Sequence, residues 1–283
     1  MAILNKIGKI KWRYAHFGFL VYNVSSEVAM EPIIQTPVTQ RALRLQMLRL
    51  LENPFEDFTD GRYFVPTPQV ARIYQEVRQR WLGEQNGLVL IDGEDGSGKS
   101  SLARFLAGGH LPSPLALAVA PRTANRLLKL INDGLGLPRV KEEKRRRERL
   151  HAFLEKQYAG IVIDLAQQRL LPSTAQLIAD LAQRTTVVVT GYAVFSHPWE
   201  ARGIATATRY LLTPWDYDTL VFVMEEITRR AGRVMGSLFT AEALERLYML
   251  SQGNPRGALH ISRSALEALL ESSGTTIEPW MLG

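Results

Sequence analysis

The stretch Gly93-Glu94-Asp95-Gly96-Ser97-Gly98-Lys99-Ser100 fits the spacing G-x-x-x-x-G-K-[ST] without a gap. A loop of this kind runs from a strand into a helix and points successive backbone N–H groups, here from Gly93 to Ser101, at a phosphate chain. In that geometry the Lys99 ammonium reaches the β- and γ-phosphates and the Ser100 hydroxyl holds Mg²⁺. About 70 residues downstream, Gly160-Ile161-Val162-Ile163-Asp164 is a β-branched apolar run closing on an acid. Such a run delivers a carboxylate to the edge of a parallel sheet, where Asp164 can hold the water shell of Mg²⁺ beside Ser100. Further on, Gly253-Asn254-Pro255-Arg256 places an arginine at a helix start. It either swings a helical lid onto bound phosphates or is a solvated arginine in a plain helix-start turn. Together the residues imply a bound nucleotide with Mg²⁺.

The surrounding sequence supplies the elements such a site needs. Leu88-Val89-Leu90-Ile91 is a short apolar run of the sort buried in parallel sheets. Ser101–Ala107 has helical spacing and is punctuated by Gly108-Gly109. Further strands are expected at Leu115–Ala120, Gly160–Asp164, Thr186–Thr190 and Tyr210–Leu212. Helices are expected at Gln40–Leu51, Gln69–Leu82, Ala124–Ile131, Arg139–Tyr158 and Ser173–Ala182. Arg62–Val65 reads as a brief strand within a Pro-, Asp- and Gly-rich loop, and Thr67 as an N-cap ahead of Pro68. The alternation predicts an α/β fold with a parallel sheet. From Thr213 the character changes. Asp216–Arg230, Thr240–Ser251 and Ala258–Glu271 are amphipathic helices with no strand between them, expected to form a small all-α lid domain. The expected organisation is a basic, aromatic arm and linker over 1–46, an α/β core over 47–212, a lid over 213–272 and a loosely ordered tail over 273–283.

Composition narrows the function classes. The chain has 283 residues, 46% hydrophobic and 22% charged, which suits an ordinary globular protein. No stretch approaches 18 consecutive apolar residues, so no transmembrane helix is expected. The absence of cysteine removes thiol chemistry, disulfides and Cys-ligated zinc, and is compatible with the cytoplasm. Met1–Tyr22 lacks a small-residue cleavage pattern, so it does not read as a secretory signal. Net charge is +6 and the pI about 9.6. That is a modest footprint for a polyanion partner, and equally a solvated basic surface.

Two segments carry the basic residues that stand out. Lys6, Lys9, Lys11 and Arg13 interleave with Trp12, Tyr14, Phe17, Phe19 and Tyr22 and precede the first acid, Glu27. This arm could dock on nucleic acid or a partner by charge and stacking, trail as a loose tail, or form a hairpin packed on the main domain. The second is the helix Arg139–Tyr158, in which seven basic and three acidic residues crowd Arg139–Arg149. It reads as a solvated face, braced by Glu142–Arg146 and Glu143–Arg147 pairs, or as a DNA contact.

From about Met47 to Leu270 the chain resembles the AAA+ ATPases, and within them the ExeA-like/TnsC-like branch. The specific signal is Met47-Leu48-Arg49-Leu50-Leu51-Glu52-Asn53-Pro54-Phe55 followed by Gly61-Arg62-Tyr63-Phe64-Val65-Pro66-Thr67. Gly134-Leu135-Gly136-Leu137 and the lid-helix start Phe239-Thr240-Ala241-Glu242-Ala243-Leu244 agree with it. Gly253-Asn254-Pro255-Arg256 is similar to the sensor-2 motif shared with origin-recognition ATPases. The resemblance implies a P-loop AAA+ core binding ATP and Mg²⁺, and a homo-oligomeric ring or filament. Members of the branch assemble on DNA in transposition, with a transposase as partner, or energise envelope secretion. The secretion members usually continue into a membrane span and a further domain. Stopping before these, together with the basic pI, tilts the expectation towards duplex DNA. The first 46 residues would then be a lineage-specific arm or an upstream extension of a reading frame.

Three departures from the family pattern bear on hydrolysis. The family's Asp-Glu-Ala-Gln is here Asp164-Leu165-Ala166-Gln167, so the glutamate that polarises the attacking water is absent. The sensor-1 strand reads Val189-Thr190-Gly191-Tyr192, leaving Thr190 as the local polar candidate. The trans-acting arginine finger falls on Arg202, or on Arg209 if the spacing has shifted. The expectation is an ATP-dependent regulator on DNA. The alternatives are a secretion or pilus-assembly ATPase at the inner membrane and a nucleotide-gated scaffold that does not hydrolyse ATP.

Overall fold

Alternating β-branched runs and amphipathic helices build a layered α/β core followed by a helical end. The computed structural model describes residues 39–56, 61–108, 114–233 and 237–283. Residues 1–38 of the basic, aromatic arm and linker expected over 1–46 therefore lie outside the described residues.

The described elements, in chain order, are α1 (Gln40–Met47), α2 (Pro68–Leu82), β1 (Gly87–Gly93), α3 (Lys99–Ala107), β2 (Leu115–Val119), α4 (Ala124–Gly134), α5 (Glu143–Lys156), β3 (Gly160–Asp164), α6 (Pro172–Ala182), β4 (Thr186–Thr190), β5 (Ala207–Leu212), α7 (Tyr217–Arg230), α8 (Ala241–Ser251) and α9 (Pro255–Glu271). The five strands are parallel in the order β2-β3-β4-β1-β5. β1 is therefore an interior strand between β4 and β5, and the loop that follows it leaves the sheet with strands on both sides.

Period-2 alternation sorts the strand side chains onto two buried faces. Leu88, Leu90, Ile161, Ile163, Val187 and Val189 pack with residues of α4, α5 and α6. Val89, Ile91, Val162 and Val188 pack with Ile73, Val77 and Trp81 of α2 and Leu102 and Leu106 of α3. Both faces being covered explains why these strands read as unbroken apolar runs.

The helical end has its own core. Leu220, Val223 and Met224 of α7, Leu244 and Leu247 of α8, and Leu266 and Leu269 of α9 are buried together. Leu48, Leu50, Phe55 and Val65 join this cluster, and Phe55 meets Phe239 edge-on at 5.9 Å. The stretch preceding α2 is thus anchored on the helical end rather than on the sheet.

Four expectations need correcting. Arg62–Val65 is a turn, not a strand: Phe64 N–H donates to Gly61 O, and the Phe64 ring packs on Phe105. The boundary placed at residue 46 cuts through α1, which docks on α9 through Arg41–Glu267 and through Arg44 donating to the carbonyls of Leu269, Ser272 and Gly274. Residues 273–283 are packed rather than loose, because Ile277 bridges Phe239 and Met281 and Leu282 are buried in the helical core. The i,i+4 pairs expected in α5 give way to other partners: Arg145 pairs with Glu142, Arg147 with Asp180, and Arg146 binds Val140 O, Lys141 O and Asn125 Oδ1.

Candidate nucleotide site

Three glycines shape the phosphate loop. Gly93, Gly96 and Gly98 have φ of 158°, 79° and 92°, which an L side chain reaches only with strain. At Gly98 a Cβ would meet nothing within 4 Å, so the constraint there is backbone conformation alone. Gly98 is also the N-cap of α3, and no side chain caps that helix, leaving its first N–H groups pointing out of the loop. This is the arrangement of donors that an anion completes.

Lys99 is 8% exposed, and its Nζ donates to Gly93 O and Glu94 O, each at 2.6 Å, and to Ser97 Oγ at 3.4 Å. Burial pushes its pKa down, while Asp92, Asp95 and Asp164 pull it back up. A lysine with neutral acceptors in a partly buried loop fits the charge of phosphate oxygens. Ser100 follows it in the first turn of α3.

Strand register brings Asp164 to this loop. Asp164 pairs with Thr190 across β3 and β4, and Thr190 with Ile91 across β4 and β1, so the acid stands in one row with the strand that feeds the loop. Asp164 is 2% exposed, and its Oδ1 accepts from Ala166 N–H and Thr190 Oγ1–H, both at 3.0 Å. Both contacts fall on Oδ1, which leaves Oδ2 for a cation. Among the described residues no group of three or more His, Cys, Asp or Glu could hold a metal unaided. The residues fit Mg²⁺, which characteristically takes one or two protein ligands and completes its shell with phosphate and water.

Leu165 is 2% exposed and belongs to the sheet core with Val194. A Cβ on Gly191 would lie 3.1 Å from Leu165 Cβ, so this side chain is wedged beneath the loop after β4. Its environment is apolar, consistent with the missing glutamate.

Arg256 does reach the phosphate loop, but not as a free cation. Its Nη1 is 2.9 Å from Asp95 Oδ2, and its backbone N–H donates to Gly96 O. The two finger candidates make no hydrogen bond to that loop. Arg202 donates to His197 Nε2 at 2.8 Å and to Gln176 Oε1. Burial and the Arg202 charge both hold the His197 pKa below its ordinary value. Arg209 lies on β5, pairs with Glu200 at 3.4 Å and sits over the Phe195 ring.

Sequence reasoning missed three contributors. Asp92, 8% exposed, accepts from Gly93 and Ala193 N–H through Oδ1 and from Phe195 N–H through Oδ2, so it ties the loop's base to the turn after β4. Gln167 and Asn254 donate to Asp95 Oδ1 and Asp95 O. Asp92 carried a signal as an acid closing an apolar strand, as Asp164 does, while Gln167 and Asn254 stood within quoted motifs without a role of their own.

Comparison with known proteins agrees with this geometry. Residues 78–194 match a family described as an AAA domain, and the parallel sheet with its phosphate loop and helical end has counterparts among solved structures. The chain has the AAA+ fold. It is similar to a chain of Drosophila ORC bound to DNA, at 15% identity over 93% of this chain and 69% of that one, with a TM-score of 0.56. It is also similar to the RuvB Holliday junction branch migration motor of Thermotoga maritima, at 16% identity over 82% and 71%, with a TM-score of 0.50. Sequence comparison with curated proteins finds no match. Among the described residues, no helix is long and apolar enough to cross a membrane.

Proposed function

We propose that this AAA+ protein binds ATP with Mg²⁺ and assembles in an ATP-dependent way on duplex DNA, where it regulates or recruits a partner such as a transposase. The observation that carries the reading is a basic surface at the same edge of the sheet as the phosphate loop. Ten basic and four acidic residues lie between Arg122 and Arg149. Val119 pairs with Asp164, so the turn bearing Arg122 leaves the sheet beside the acid of the nucleotide site. Arg146 reaches back from α5 to Asn125, which draws the starts of α4 and α5 together. Among the described residues Arg122, Arg126, Lys129, Lys141 and Lys144 are exposed and make no ion pair. Such cations are available to phosphates. That the structure of Drosophila ORC is bound to DNA lends the same direction to a fold-level likeness.

In this reading the amides of Gly96–Ser101 and Lys99 bind the phosphate chain, and Ser100 and Asp164 hold the metal. Bound Mg²⁺ would offset charge on the β- and γ-phosphates. Thr190 keeps Asp164 oriented. No acid stands at position 165 to polarise water, so the nucleotide acts chiefly as a switch and hydrolysis is slow. Arg202 or Arg209 is presented to the site of a neighbouring copy, as the ExeA-like/TnsC-like resemblance implies.

Negative-stain imaging with and without ATP and duplex DNA tests the proposal, alongside DNA binding by fluorescence anisotropy across a salt series. Assemblies requiring both ligands support it; their absence, with DNA binding indifferent to Lys99→Ala, overturns it. Replacing Arg122, Arg126 and Lys144 together by Ala should flatten the log–log salt slope by about 2–3.

A further inference from the structure

Asp95 is a junction of three chain segments. Its Oδ2 takes Arg256 Nη1 at 2.9 Å, while Oδ1 takes Gly96 N–H at 3.0 Å and Gln167 Nε2 at 3.3 Å. Its carbonyl takes Asn254 Nδ2 at 2.8 Å. The approach is tight: a Cβ on Gly96 would lie 2.5 Å from Asn254 Oδ1 and 3.0 Å from Arg256 Cβ. The start of α9, the turn after β3 and the phosphate loop are thus joined through one carboxylate.

A carboxylate and a phosphate are alternative partners for one guanidinium, since both present paired anionic oxygens to the same fork of donors. Asp95 belongs to the loop that receives phosphates, so the acid and the ligand compete for Arg256. The pair is 66% and 63% exposed at its two side chains, and contacts of that kind are weak enough to exchange.

We propose that Asp95 is a specificity-determining residue that makes the site discriminate nucleoside triphosphate from diphosphate by occupying Arg256. This rests on the nucleotide-binding reading above. A triphosphate carries an additional anionic group able to take Arg256 from Asp95, and must break the Asp95–Arg256 pair to do so. A diphosphate leaves the pair in place. Asp95 therefore weakens triphosphate binding selectively and couples occupancy of the terminal phosphate position to loss of the side-chain ion pair between the start of α9 and the loop.

The test is a double-mutant cycle read by calorimetric binding of ADP and of a non-hydrolysable ATP analogue with Mg²⁺. The proteins are wild type, Asp95→Asn, Arg256→Ala and the double variant, each checked for folding by circular dichroism. Asp95→Asn should tighten the analogue relative to ADP by about three- to fivefold, the range an exposed pair supports. In the Arg256→Ala background the same substitution should shift both ligands by one common factor. A common shift already in the presence of Arg256 overturns the inference while leaving nucleotide binding intact. No binding of either ligand by the wild type removes the underlying reading, and this inference with it.

Discussion

Thr190 donates its hydroxyl to Asp164 Oδ1 across 3.0 Å, from one buried strand end to the next. The Thr190 hydroxyl at the end of β4 is thus committed to the carboxylate proposed to hold the metal. Its role is to hold Asp164 in one orientation beside the loop, with the Ala166 N–H as the second fixed donor.

Thr190→Val keeps the shape and deletes the donor. The carboxylate, 2% exposed, loses one of its two hydrogen bonds. Stability should fall by about 1–3 kcal/mol, and the Mg²⁺ concentration needed for half-maximal nucleotide binding should rise. Denaturant unfolding and a Mg²⁺ titration of fluorescent nucleotide read the two effects separately.

Leu165→Glu introduces, in a core environment, the residue type that the ExeA-like/TnsC-like resemblance implies. The new carboxylate would lie against Val194 and the Gly191 backbone, in an apolar setting. We expect a loss of about 3 kcal/mol or more and no gain in turnover. Thermal unfolding and phosphate release measure both, and a stable variant with raised turnover would contradict the burial argument.

Gly98 and Gly253 separate conformational strain from collision. Both have positive φ, at 92° and 72°. A Cβ at Gly98 meets nothing, whereas at Gly253 it would lie 2.0 Å from Trp215 O, a backbone atom held by the Trp215 N–H to Gly253 O bond. Gly98→Ala should cost about 1 kcal/mol, and Gly253→Ala at least about 3 kcal/mol through strain and displaced backbone together. Denaturant midpoints should rank them in that order.

Glu226 on α7 is held at a pKa of about 2, chiefly by its hydrogen bond with Arg229 and then by Arg230, against burial that would raise it. A depressed carboxylate pKa stabilises the fold above its unfolded value and loses that contribution as protons bind. The contribution should therefore be full above about pH 4.5 and decline towards pH 2. Glu226→Gln should flatten that part of the stability profile and leave its shape near neutral pH unchanged, as equilibrium unfolding across pH would record.

How much of this was legible in the sequence follows from the range of the interactions. Gly93–Ser100 and Gly160–Asp164 were readable because a glycine-rich turn and a buried strand are set by neighbours a few residues apart. The extension of β5 back to Ala207 was not, since Ala207 and Thr208 owe their pairing to Leu88 and Val89 of a distant strand. Equally, α1 and residues 273–283 looked peripheral because their burial depends on α9 and Phe239.

The sequence by itself determined that a phosphate loop enters a helix, that an acid closes a second strand, and that an α/β core gives way to helices. Local spacing suffices for each. Only the tertiary structure decided that Leu165 is core, that Thr190 serves Asp164, and that Arg256 answers to Asp95 from 161 residues away. Those outcomes rest on strand order and on the docking of α9, which close large loops by contacts that no short window of sequence contains.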